Sequence, residues 1–314
     1  MKKFLIKSIL FISVSVAAVV LAFYLIILNV QTKGSFRLPE DTKYVFMGHS
    51  HTECTFNDTI IDNSVNLSLS GESYFYLFTK IKKVLEENNQ IKAVFIEFSN
   101  SQITKIMNTW IWDDLHISER LPIYLPFLNR EDIVLLYKNN PKGFISASSK
   151  AFRVNLFKVI RSDYDLSDEI GEYQRLEGSK VDSLIQAMNS KETIENYTID
   201  YSTENINYLR KIIEYLGSRN IDFYLIRSPQ HKYYTDLKNE SVFLKLKDSL
   251  FKNVEFLDFN EFPMADKEFR DFGHLNYLGA KKFSKWFDDL LKKGLLSHNN
   301  KEKFVNFNMK LTEN

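Results

Sequence analysis

Glycine and proline are scarce: ten and six in 314 residues, where average usage would give about 20 and 15. That shortage excludes collagen-like and low-complexity chains and disfavours any Gly-rich phosphate loop. A single cysteine, Cys54, excludes an internal disulfide framework and a cysteine-rich zinc site, and its residue type suits a small buried apolar role. Neither sign of charge is in excess. Forty-one Lys and Arg against 40 Asp and Glu leave a net charge of +1, so no global field draws in nucleic acid, and none is expected as a partner. What remains is 44% hydrophobic and 26% charged, long enough for one large core or two small ones.

One long apolar run stands out. Ser8 to Val30 carries no charge and follows Lys2, Lys3 and Lys7, and its length suffices to cross about 30 Å of hydrocarbon at 1.5 Å per residue. A cleaved signal peptide would have an apolar stretch of about 7–15 residues ending in small residues. Here Ala17-Ala18 falls mid-run, with Val19 to Val30 still apolar beyond it. The expectation is a cytoplasmic segment over 1–7, an uncleaved transmembrane signal-anchor over 8–30 and a polar linker over 31–41. Lys33, Arg37 and Lys43 follow the span, so the positive-inside bias is small, yet an acid-free N-terminus favours N-in. That places a single-pass protein in the cell membrane with its C-terminal domain outside the cytoplasm.

Beyond Asp41 apolar runs alternate with helical patterns, predicting an α/β domain: a central parallel sheet between two helical layers. Strands are expected at Lys43–Met47, Ser64–Leu69, Ala93–Phe98, Phe223–Arg227 and Val254–Phe259. Helices are expected at Tyr74–Glu87, Thr203–Leu216, Val242–Phe251 and Tyr277–Lys293. Gly217 and Gly294 stand at C-cap positions. Between Ser101 and Ile199 the rhythm lapses, around Trp110, Trp112, Pro122, Pro126 and Pro141, which reads as an insertion at about 101–199 in one domain over 42–295. Packing within that insertion is the expected role of the two tryptophans, and 296–314 reads as a polar tail.

Two short segments carry chemistry. In Val45-Phe46-Met47-Gly48-His49-Ser50-His51-Thr52-Glu53 a strand runs into a polar turn, so Ser50 falls at a strand's carboxyl end, where ligands bind in open α/β sheets. In Asp271-Phe272-Gly273-His274 an Asp precedes a His by three residues. That spacing can hold the imidazole through Nδ1–H and leave Nε2 to take a proton from a serine. It also suits a plain helix cap.

These segments resemble the SGNH (GDSL-like) hydrolase superfamily, which uses a serine just after its first strand and an Asp-x-x-His near its C-terminus. Gly48-His49-Ser50 matches the first block. Asp271 to His274 matches the last, with Leu275-Asn276-Tyr277-Leu278-Gly279-Ala280 continuing into the final helix. Gly71 stands for the second block and Asn100, in Ser99-Asn100-Ser101, for the third. His49 replaces the family's usual Asp, and no glycine stands beside Asn100. The resemblance covers about residues 43–100 and 203–293. It implies a flavodoxin-like three-layer fold, Ser50 as nucleophile, His274 as base, Asp271 as its orienter, and an oxyanion hole from Ser50, Gly71 and Asn100. It implies no cofactor. Membrane-anchored branches that it resembles serve polysaccharide O-acetylation and teichoic acid D-alanylation. The implied function is therefore a serine esterase or O-acyltransferase acting on an acylated cell-envelope polysaccharide, with a membrane-bound acyltransferase as a further partner.

Two alternatives stay open. One is a non-catalytic accessory protein of the same fold that binds an envelope polymer or an acyltransferase. The other is a metal-dependent hydrolase built on His49-x-His51, with Glu97, Asp258 or Asp271 completing the ligands. His49, Arg227 and His231 are candidate substrate-binding residues, the last two in Arg227-Ser228-Pro229-Gln230-His231 after a strand.

Overall fold

The computed structural model describes residues 1–189 and 200–312; the end of the expected insertion, 190–199, and the last two residues of the expected tail lie outside the described residues. In chain order its principal elements begin with α1 (Lys2–Lys33), β1 (Tyr44–Met47), α2 (Ser50–Thr55), β2 (Ser64–Asn66), α3 (Tyr74–Glu87) and β3 (Ala93–Glu97). Next come α4 (Met107–Trp112), α5 (Asp114–Tyr124), α6 (Arg130–Asn139), α7 (Pro141–Arg161), α8 (Val181–Asn189) and α9 (Thr203–Arg219). The chain closes with β4 (Asp222–Arg227), α10 (Glu240–Leu250), β5 (Phe256–Asp258), α11 (Tyr277–Lys292) and α12 (Lys301–Leu311). Two units emerge, Met1–Arg37 with Trp112–Glu169, and Leu38–Ile111 with Ile170–Asn314.

The larger unit is an α/β fold on a five-stranded, all-parallel sheet in the order β2-β1-β3-β4-β5. The strands are short apolar runs, and every residue of β3 is buried, as a strand covered on both faces requires. Right-handed crossovers put the leftward β1-to-β2 connection on one face and the rightward ones on the other. In keeping with that, α2 packs with α11 and α3 with α9. The core is aromatic: Phe46 stacks on Phe56 (4.3 Å) and Phe95 (4.9 Å), with Phe287 edge-on at 5.6 Å. The strand order reverses between β1 and β3, so the crevice at their carboxyl ends is where a doubly wound sheet places its ligand.

Several boundaries differ from those read in the sequence. The polar tail is largely the helix α12, whose Val305 is buried and whose Phe304 and Met309 pack against the main core. Gly217 does not cap α9; the helix runs on to Arg219 and Asn220 takes the left-handed position at φ 54°. Gly294 does adopt positive φ, 86°, after α11. Within the insertion, α7 is a regular helix of 21 residues, and the segment 112–169 groups with α1 as the smaller unit.

In the smaller unit, α1 is long and apolar enough to cross a membrane. Only its last third is covered: Phe23 stacks on Phe152 of α7 at 5.8 Å, and Asn29 accepts a hydrogen bond from the Tyr164 hydroxyl at 2.7 Å. The expected linker is not free chain, because Ser35 forms a bridge with Asp165 and Phe36 is fully buried against Phe127.

Phe46 is fully buried among other rings, so Phe46→Ala should leave a cavity and destabilise the larger unit by about 3–5 kcal/mol. The midpoint of denaturant unfolding, followed by circular dichroism, checks this.

Candidate active site

β1 and β3 lie side by side with Met47 level with Ile96, so the residues just past them, Gly48 to Ser50 and Glu97 to Ser101, meet at the crevice. Glu97 is fully buried there and organises the turn. Its Oε2 accepts from the His49 N–H (3.0 Å), the Thr52 N–H (3.3 Å) and the Thr52 hydroxyl (2.9 Å). Its Oε1 faces His49 Nε2 (3.0 Å), His51 Nδ1 (3.3 Å) and the Ser99 hydroxyl (3.0 Å). This close approach explains Gly48: a Cβ there would stand 2.5 Å from both the Cβ and Oε2 of Glu97.

Burial and the carboxylate act in opposite directions on His49. Burial alone would push the Glu97 carboxyl up, but the facing His49 and His51 and the Thr52 hydroxyl hold it below the usual carboxylate range. Burial lowers His49 from 6.5 to about 3, with Glu97 opposing, so its ring is neutral near pH 7. An ionised Glu97 then keeps the proton of His49 on Nε2, leaving Nδ1 as an acceptor. That Nδ1 accepts from the His51 N–H at 3.4 Å and so caps α2.

Ser50 opens α2. Its Oγ lies 2.8 Å from Nε2 of His274, and Nδ1 of His274 lies 2.8 Å from Oδ1 of Asp271. The three residues of the two sequence segments thus form an unbroken chain of hydrogen bonds across 224 positions of sequence. The same Asp271 oxygen accepts the N–H groups of Gly273 (2.9 Å) and His274 (3.0 Å), which fixes the loop that carries the imidazole. Burial would raise the Asp271 carboxyl, but these bonds and the imidazole hold it below its ordinary value. The helix-cap reading of Asp271 does not hold, because Asn276 caps α11 by accepting from Leu278 and Gly279. His49 Nδ1 also faces the Ser50 hydroxyl, but at 3.4 Å.

A cavity of about 550 Å³ opens on Ser50 and His274. His49, His51 and Ser101 line its polar side, and Ile106, Met107 and Trp110 form an apolar wall. Trp110, expected to pack the insertion rather than to stack on a sugar, stands perpendicular to His49 at 5.3 Å. Tyr234, which no motif pointed to, sits 5.2 Å from the His51 ring.

Other expected site residues lie elsewhere. Asn100 is not an oxyanion donor here: it is fully buried, its Nδ2 donates to Asn239 (2.9 Å) and Glu240 (2.7 Å), and its Oδ1 accepts from Arg227 (2.9 Å). Gly71 has positive φ, 69°, and is not among the residues lining the cavity. Arg227 is not available to a substrate in this cavity, being paired with Asp258 and Glu240. His231 lies buried outside the cavity, stacked on Phe272 with Nε2 facing Asp266 at 3.2 Å. Of the metal set, His49, His51 and Glu97 converge with ligand atoms within 4.8 Å of one another, whereas Asp258 pairs with Arg227 and Asp271 with His274. Burial pushes the Cys54 thiol well up, as an inert buried cysteine requires.

A family model matches residues 171–296, which takes in Asp271 and His274 but not Ser50. No curated protein matches the chain. Among solved structures, a Streptococcus pneumonia protein provisionally named a platelet activating factor is similar at 12% identity and a TM-score of 0.42, over 90% of this chain and 98% of that one. At that score no argument rests on the likeness.

Two outcomes are expected. Gly48→Ala should displace Glu97 and cost about 1–3 kcal/mol, read as a lower unfolding midpoint. Acid should also destabilise the fold. His49 has its proton affinity lowered from 6.5 to about 3 on folding, so between these values the unfolded chain binds the extra proton. Its contribution is complete above 6.5 and is lost as pH falls towards 3. The depressed Glu97 and Asp271 add loss in the same direction at lower pH. A urea midpoint that stayed flat from about pH 7 to about pH 4 would contradict this assignment.

Proposed function

We propose that this chain is a membrane-anchored serine esterase or O-acyltransferase, acting outside the cytoplasm on ester-linked acyl groups of a cell-envelope glycan. The observation that carries the reading is the Asp271–His274–Ser50 chain, 2.8 Å at each link, at the mouth of a cavity. Ser50 Oγ attacks the acyl carbonyl as His274 Nε2 takes its proton, and Asp271 stabilises the imidazolium through Nδ1–H. The Ser50 N–H, at the first position of α2 where no helical carbonyl precedes it, donates to the oxyanion. The leaving alkoxide recovers the proton from His274. Water or a glycan hydroxyl then gives its proton to His274 and attacks the acyl-serine carbonyl; the bond to Ser50 Oγ breaks, Oγ takes the proton back from His274, and the free acid or the acylated glycan leaves. The wall of Ile106, Met107 and Trp110 suits the acyl group, and the apolar helix suits an acyl donor or polymer held near the membrane.

Two observations favour other readings. The commitment of Asn100 to Arg227, Asn239 and Glu240 leaves the oxyanion hole short of a donor, which favours an accessory protein that binds an envelope polymer without chemistry. The convergence of His49, His51 and Glu97 favours a metal-dependent hydrolase. That set fits a cation in donor type and spacing, although every one of its ligand atoms already has a hydrogen-bond partner.

Ser50→Ala is expected to lower turnover of an acetyl ester by about 10³-fold or more with the fold intact by circular dichroism. A fluorophosphonate should label wild type at Ser50. Absence of labelling with the fold intact assigns the accessory role, and activity abolished by chelators but unaffected by Ser50→Ala assigns the metal-dependent one.

A further inference from the structure

The smaller unit contains more than one membrane-directed element. α7 follows α1 in the same direction: Phe152 stands beside Phe23 and Tyr164 beside Asn29. Further along, Ser35 exchanges backbone hydrogen bonds with Tyr164 (2.8 Å) and Leu166 (2.9 Å). α5 runs beside α7 in that direction too, since Asn140 donates to the Trp112 carbonyl, Lys150 to the Ser118 hydroxyl and Asn155 to the Pro122 carbonyl. The starts of α5 and α7, and the end of α6 that turns into α7, therefore share one end of the bundle. It is the end directed towards the N-terminus of α1. Pro141 lies 11 residues before Phe152 on α7, so this end is on the side of Phe23 that faces the N-terminus of α1.

With α1 read as the membrane span, that level is where it would leave the lipid. Its residues before Leu21 lie clear of the bundle, and the exposed stretch Phe4–Ala22, charged only at Lys7 near its start, measures about 28 Å, the thickness of a hydrocarbon core. The end of the bundle beside it exposes Leu115 (61%), Tyr137 (50%) and Ile145 (58%), with Lys138 and Lys142 alongside. Its acids are engaged internally: Asp113 accepts from the N–H of His116, and Asp114 from the Asn140 amide. Exposed aliphatic and tyrosine side chains flanked by lysines are the composition of a helix end at a membrane interface.

We propose that this end of the α5–α7 bundle is seated in the phospholipid leaflet through which the C-terminal part of α1 emerges. Leu115, Tyr137 and Ile145 enter the headgroup–acyl boundary, and Lys138 and Lys142 meet lipid phosphates. The proposal rests on α1 being the membrane span.

The test uses the full chain in phosphatidylcholine–phosphatidylglycerol vesicles, with an environment-sensitive fluorophore on single cysteines introduced as Val14→Cys, Leu115→Cys, Ile145→Cys or Asp163→Cys. All four positions are exposed, and the native Cys54 is buried. Doxyl-labelled phospholipid should remove the emission at 14, 115 and 145 and spare it at 163. Quenching at 14 without quenching at 115 and 145 overturns the proposal while the span stands. No quenching at 14 removes the span, and the proposal with it. Shielding of 115 and 145 from both doxyl lipid and aqueous iodide assigns the face to a second copy of the chain and likewise overturns it.

Discussion

A single buried carboxylate holds the candidate site together. Glu97 lies at the end of β3 with no exposed surface and meets six hydrogen-bonding groups, three at each oxygen. Leaving such a charge unpaired would cost several kcal/mol, whereas each hydrogen bond to a charged group returns about 1.5–3 kcal/mol. The network is therefore all or nothing. Five of the six groups belong to residues 49, 51 and 52, so the turn that presents Ser50 is shaped around a charge rather than around Ser50 itself. Gly48 is part of the same constraint, since the carboxylate occupies the space a side chain would need.

The network also decides between two histidines. Ser50 Oγ lies between Nδ1 of His49 and Nε2 of His274, and each ring has a carboxylate behind it. On composition alone either pair could serve as the base. Distance favours His274, 2.8 Å against 3.4 Å. Burial also argues against His49, whose pKa near 3 keeps its ring from becoming an imidazolium. His49 thus acts as a neutral acceptor that caps α2. An Asp at that position would place a second buried carboxylate beside Glu97, which the site could not accommodate without protonating one of them.

Much of the larger unit was legible because its signals are local. Strands that read as unbroken apolar runs, and a serine and an Asp-x-x-His at their ends, need only short windows of sequence. What escaped the sequence depends on contacts between distant residues. Asn100 follows β3 as an oxyanion donor should, but its side chain answers to Arg227 and Glu240, 127 and 140 positions away. Glu97 offered one readable sign, an acid inside the buried run Ala93–Phe98, yet nothing local shows that two histidines converge on it. The tail misled because α12 buries only Val305 and Asn308, with Phe304 and Met309 partly covered and Phe307 and Leu311 exposed, so its apolar residues form no full core face. Gly217 misled because Asn220 tolerates the left-handed cap nearly as well as glycine does.

The insertion was legible only as a lapse of rhythm, and there is a physical reason for that. Its first residues, Ile106, Met107 and Trp110, leave β3 to wall the cavity, so their apolar character serves a concave site rather than a periodic core face. From Trp112 onward the chain forms a small bundle in which α7 packs on the last third of α1 and α5 and α6 pack on α7. Gly143, Ala147, Ala151 and Asn155 form the buried stripe of α7, and such small residues allow close helix approach without a large apolar signature. Meanwhile larger apolar groups such as Leu115 and Ile145 remain exposed. A pattern with small residues inside and large apolar ones outside inverts the rule for a helix in water. That inversion is why the sequence shows only scattered short helical patterns there.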